Sequence, residues 1–182
     1  MRLPRDRRLL ALVVTGVAVL AGGAWLAALE PTHPALTVES PEGDPDAARK
    51  EDLRVRFDAA VVLLQARKYE PAAAALRRLL EAAPQMPEAH ANMGFAMLGL
   101  QQPEAAREHF ERATMIKANQ ANAYYGLALA HEALGDIELA LGAMRTYLHL
   151  ASAEDEAHLR KARAAVWEWE SQLAARRASV GR

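Results

Sequence analysis

From Leu53 onward the chain can be laid on itself at a shift of 34 residues without a gap, giving the blocks Leu53 to Met86, Pro87 to Gln120 and Ala121 to Glu154. Self-similarity at a fixed period of this length means a stacked array in which each unit buries its apolar face on the next. The places that repeat are the ones packing demands. The eighth place carries Ala60, Gly94 and Ala128, and the twentieth carries Ala72, Ala106 and Ala140. Small residues at both let two helices of a hairpin approach closely. Bulk is supplied at the seventh place by Ala59, Met93 and Leu127, and at the twenty-fourth by Leu76, Phe110 and Met144. Breaks between amphipathic segments are expected at Glu70-Pro71, Gln102-Pro103 and Gly135-Asp136, with Pro84 and Pro87 marking the first junction between blocks.

These residues, with the runs "EAHANMGFAMLGLQQPEAAREHFERA" and "ANAYYGLALAHEALGDIELAL", make the chain resemble the tetratricopeptide-repeat (TPR) family over about 100 positions. The resemblance implies an all-α fold: a solenoid of three helical hairpins. Departures occur at the fourth place, usually aromatic, which is Arg56 and His90 before Tyr124. The proline near the end of each block is kept only as Pro84. Residues 155 to 178 extend the array as a capping helix, because Leu159, Ala162, Val166, Trp169 and Leu173 form one apolar stripe at steps of three and four. Trp167 lies about 160° around that helix from Trp169 and is a candidate anchor for a partner.

The N-terminus has a separate logic. Arg2, Arg5, Arg7 and Arg8 precede an uncharged run from Leu9 to Leu29, whose 21 residues would span roughly 30 Å as a helix, the thickness of a bilayer core. Glu30, Glu39, Glu42, Asp44 and Asp46 follow, with no Lys or Arg before Arg49. The basic excess on the N-terminal side predicts a cytoplasmic N-terminus of residues 1 to 8, a single-pass anchor over 9 to 29 and an exported remainder, periplasmic in a bacterium. A cleaved signal peptide ending near Ala21 to Ala24 is the competing reading and exports the same part. Residues 30 to 52, with Pro31, Pro34, Pro41 and Pro45, read as a stiff acidic linker, and 179 to 182 as a short tail.

In TPR proteins the first helix of each hairpin lines a concave face. The resemblance assigns that lining here to Phe57, Asp58, Val61 and Leu64, then Ala91, Asn92, Phe95 and Leu98, then Asn122, Tyr125, Leu129 and Glu132. Such a groove is mainly apolar. Family members that clamp a C-terminal carboxylate use Lys or Arg at several of these places, and only Arg54, at the rim, is basic here. A hydrophobic peptide or amphipathic helix is therefore the expected ligand.

Other chemistry is poorly served. A formal charge of -1 supplies no basic patch for nucleic acid, and the absence of cysteine removes disulfides and thiolate metal sites. The six histidines, His33, His90, His109, His131, His149 and His158, include no pair at i,i+4, so no metal or cofactor site is expected. His90 and His131 fall at packing places. Ser152 and Ser171 lack a glycine elbow, and no phosphate loop is present, so no catalytic residue is expected. The chain reads as a non-enzymatic, membrane-tethered scaffold that holds a protein or peptide during assembly of an envelope complex. An N-terminal anchor followed by a short exported TPR domain is similar in layout to accessory proteins of cytochrome c maturation and haem-lyase complexes. The alternative is a permanent subunit of a secretion, pilus, polysaccharide or respiratory complex.

Overall fold

The computed structural model describes residues 44–151 and 156–180. The expected anchor over 9 to 29 lies outside them, and no helix among the described residues is long and apolar enough to cross a membrane. Within the described residues the secondary structure is entirely helical: α1 (Pro45–Gln65), α2 (Tyr69–Ala82), α3 (Pro87–Gly99), α4 (Pro103–Ile116), α5 (Ala121–Leu134), α6 (Ile137–Leu150) and α7 (Glu156–Val180). Each helix packs chiefly on its neighbours in the chain, and the first helices of successive hairpins also touch, α1 on α3 and α3 on α5. This is the contact pattern of a linear array.

One part of the expected linker is corrected. Residues 45–52 are helical, because α1 starts at Pro45. Proline is suited to the first helical position, and the Asp44 side chain accepts a hydrogen bond from the backbone N–H of Asp46 at 3.0 Å, so residues that read as linker chemistry are a helix start. The same applies to the first turn of the repeat. Glu70 and Pro71 lie inside the first turn of α2, and the chain reverses earlier, at Ala66 to Lys68.

The three hairpin turns are copies of one another. The only residues with positive φ among those described are Arg67 (56°), Gln101 (59°) and Gly135 (83°), and all three occupy the fifteenth place of their blocks. At each, the N–H of the following residue donates to the carbonyl five residues before it, in the end of the preceding helix: Lys68 to Leu63, Gln102 to Met97 and Asp136 to His131, every one at 2.9 Å. These are left-handed helix caps that satisfy carbonyls the helix end would otherwise orphan. Glycine takes that conformation without strain only in the third block.

Packing follows the expected small and large places. Ala72, Ala106 and Ala140 are 0% exposed, and so are Leu76 and Phe110, with Met144 at 1%. The Phe110 ring on α4 is held between glycines of the two flanking first helices. A Cβ at Gly94 of α3 would stand 2.7 Å from the ring, and one at Gly126 of α5 would be closer still. Ala59, expected to fill space at the seventh place, is instead exposed, since among the described residues no helix packs on that side of α1. Only Ala60 of α1 is buried.

The C-terminal helix closes the array in register. Counting on by 34 from Ala128 gives Ala162, which is fully buried like its equivalents. Thus α7 packs on α6 as the first helix of a fourth, half-complete repeat. Trp169 and Leu173 of the expected stripe are buried, with Leu159 and Val166 partly buried against the same cluster.

The glycine contacts make a paired prediction. Gly142 sits in α6 with nothing near its would-be Cβ, whereas Gly126 faces the Phe110 ring. Gly142→Ala should stabilise the fold by about 0.5–1 kcal/mol through helix propensity. Gly126→Ala gains the same propensity but overpacks a sealed core, and should destabilise by about 1–3 kcal/mol. Urea unfolding followed by circular dichroism reads both.

Candidate peptide-binding pocket

Three of the residues assigned to the groove converge. Phe95 of α3 and Asn122 and Tyr125 of α5 line a cavity of about 250 Å³, together with Tyr147 of α6 and His158 of α7. Phe95 meets Phe110 edge to face at 4.9 Å between ring centroids, and Tyr125 lies 5.2 Å from Tyr147 with the rings tilted by 59°. Such pairs hold aromatic planes in fixed positions, so the pocket walls are rigid. Its polar element is also oriented. The buried Gln120 donates from Nε2 to Asn122 Oδ1 at 2.8 Å, which fixes the amide of this lining residue with Nδ2 as its donor group.

Tyr147 and His158 were not among the expected lining. Tyr147 belongs to a second helix of a hairpin, which the family's concave places do not include. His158 comes from α7, and extending the 34-residue register past Glu154 would have revealed α7 as another lining helix. The same extension puts Trp167 at the thirteenth place of the half-repeat, where it is 74% exposed.

The remaining assigned residues are not gathered into this pocket. Ala91 is fully buried in the core and offers no surface, which corrects its assignment: its Cβ fills the space between α3 and its neighbours. Leu64 and Leu98 pack partly on the same core. Phe57 lines a second, larger depression of about 640 Å³ between α1 and the α2–α3 connection, with Leu53, Arg54, Pro84 and Met86 among its walls. Asp58 is exposed and paired with Arg54 at 3.3 Å. Val61, Asn92 and Leu129 are half-buried. Glu132 is exposed and accepts a 2.9 Å hydrogen bond from the Trp169 indole N–H, which joins α7 to α5.

Arg54, the basic residue at the rim, is occupied. Its guanidinium binds Glu51 at 2.6 Å and Asp58 at 3.3 Å, and that hydrogen bond holds the Glu51 carboxyl below its usual range. No lysine or arginine is among the described residues that line the aromatic pocket.

With this geometry the class of protein is defined as a helical-hairpin array with a small aromatic pocket on its lining helices. Residues 63–131 match the tetratricopeptide-repeat family model. No curated protein sequence matches the chain. Among solved structures, the type III secretion translocator chaperone SycD of Yersinia enterocolitica is similar at a TM-score of 0.65 and 12% identity, covering 69% of this chain and 88% of that one. PcrH in complex with the chaperone binding region of PopD is similar at 0.63 and 19%, covering 68% and 94%. The first TPR of Spaghetti (RPAP3) bound to the HSP90 peptide SRMEEVD is similar at 0.61 and 20%, covering 68% and 94%. The fold is therefore that of a TPR solenoid.

The join between α7 and α5 can be tested. Trp169→Phe keeps an aromatic ring in place but removes the N–H that reaches Glu132, and should cost about 1–3 kcal/mol. Hydrogen exchange should show faster exchange in α7 with little change in α3 and α4, since stability in such arrays is transmitted between neighbours.

Proposed function

We propose that the chain is a membrane-tethered scaffold whose TPR domain captures an apolar or amphipathic segment of another protein during assembly of an envelope complex. The observation that carries this reading is the pocket of Phe95, Asn122, Tyr125 and Tyr147, with rigid aromatic walls, one oriented amide donor and no lysine or arginine in its described lining. Two neighbours of the same fold are complexes, one with a chaperone binding region and one with an HSP90 peptide, which supports a polypeptide as the ligand class. A peptide whose affinity resides in a terminal carboxylate suits the site poorly, because a carboxylate needs a cation and Arg54 is already committed to Glu51 and Asp58.

The tether belongs to the same proposal. Four arginines before an uncharged 21-residue run, with acidic residues after it, support an N-terminus held in the cytoplasm and a TPR domain on the outer face of the inner membrane. No enzymatic step is assigned to the chain, and its contribution is to hold a segment in place. The similarity in layout to accessory proteins of cytochrome c maturation makes the C-terminal helix of an apocytochrome c the first ligand to assay.

Calorimetric titration of such helices into the protein tests the reading. Tyr125→Ala and Asn122→Ala should each weaken a bound segment by about tenfold or more, the loss expected when a central aromatic or its oriented donor is truncated. A segment that binds the folded variants as tightly as the parent protein would place the binding surface elsewhere.

A further inference from the structure

We propose that His90 and His109, with the thioethers of Met93 and Met97 beside them, form a binding site for a single Cu(I) ion. The site is a cavity of about 430 Å³ among α2, α3 and α4, lined by these four residues and, on the α2 side, by Arg77, Leu80 and Glu81. It shares no lining residue with the aromatic pocket. His90, Met93 and Met97 recur at steps of three and four along α3 and so occupy one helix face. His109 reaches them from α4.

The two imidazoles face each other through Nδ1, at 3.3 Å. Two nitrogens at that separation, each about 2.0 Å from a metal, subtend roughly 110° at it, an angle suited to tetrahedral coordination. His90 is also prepared for the role. Its Nε2 lies 3.1 Å from the carbonyl oxygen of Pro84. A carbonyl only accepts, so Nε2 carries the proton and Nδ1 presents a lone pair, with the backbone orienting the ring as hydrogen-bonded carbonyls orient metal-bound histidines. His109 then donates from Nδ1 to His90 when the site is empty. On metal binding its proton moves to Nε2, a tautomer change that leaves the charge unaltered. Burial holds both rings below the usual histidine range, against the Pro84 carbonyl at His90 and Glu108 at His109, which pull the other way.

The ligand set selects the ion. Among the described residues no three of His, Cys, Asp or Glu are placed to hold a metal, and the other soft donors in the wall of this cavity are the thioethers of Met93 and Met97. Met93 and Met97 are only 3% and 8% exposed while still lining the cavity. Thioethers are soft donors that favour Cu(I) over Zn(II), Mg(II) or Ca(II). The charges agree: Glu81 in the wall and Glu108 near His109 are offset by Arg77 in the wall and Arg112 near His90. A balanced surround of this kind suits a monovalent ion better than a divalent one.

The full chain, purified in detergent, is titrated without oxygen against the Cu(I) complex of bicinchoninate, whose colour reports the copper it retains. One equivalent should be withdrawn. His90→Asn and His109→Asn should each lower the affinity tenfold or more, and Met93→Leu with Met97→Leu should weaken Cu(I) while leaving Zn(II) binding unchanged. Nitrogen-15 spectra of the histidine rings in the parent protein avoid any folding defect of a variant, and one equivalent of Cu(I) should shift two of the six histidines. The proposal is overturned if no copper is withdrawn, if the histidine or methionine variants bind Cu(I) as the parent does, or if the rings that shift are other than His90 and His109.

Discussion

The fit of one phenylalanine ring between two glycines sets the spacing of the central array. Phe110 projects from α4 into the space where α3 and α5 come together, and only the absence of a side chain at Gly94 and Gly126 leaves room for it. The ring is wholly buried, and its edge supports Phe95, which in turn walls the aromatic pocket. Core and pocket are thus one packing problem. A shift in the ring would move α3 against α5 and the pocket with them, because close-packed interiors transmit displacement.

The period was legible because the constraint that produces it acts on side-chain size. Where two helices must touch, only Ala or Gly serves, and Ala72, Ala106 and Ala140 advertise that need at a fixed spacing. Constraints that act on the backbone alone left weaker marks. The left-handed caps at Arg67 and Gln101 are invisible by composition, since tertiary packing holds ordinary residues in a conformation that only Gly135 announces. The start of α1 was hidden for a related reason: proline and aspartate serve equally as linker residues and as helix starters.

The pocket was partly legible. Phe95, Asn122 and Tyr125 follow from family places, but Ala91, at such a place, is too short to escape the core. Tyr147 and His158 depend on how α6 and α7 stack against α5, which the period of one helix does not state. The His90–His109 encounter is likewise a contact between residues on different helices, with no regular interval to betray it. The aromatic pocket and the histidine cavity consequently differ in chemistry, one walled by aromatic rings and one by imidazole and thioether.

The three matching turns carry a consequence for how such a chain can change length. Since Arg67, Gln101 and Gly135 bend the backbone alike, each of the three hairpins turns the same corner, whereas α7 runs as one helix through the corresponding place at Trp169. Duplication or loss of one whole block would preserve every interface as a copy of an existing one. A change of any other length would misalign the small residues at the eighth and twentieth places. The inheritable unit of this architecture is therefore the block, and its ancestry can be read as a count of whole copies.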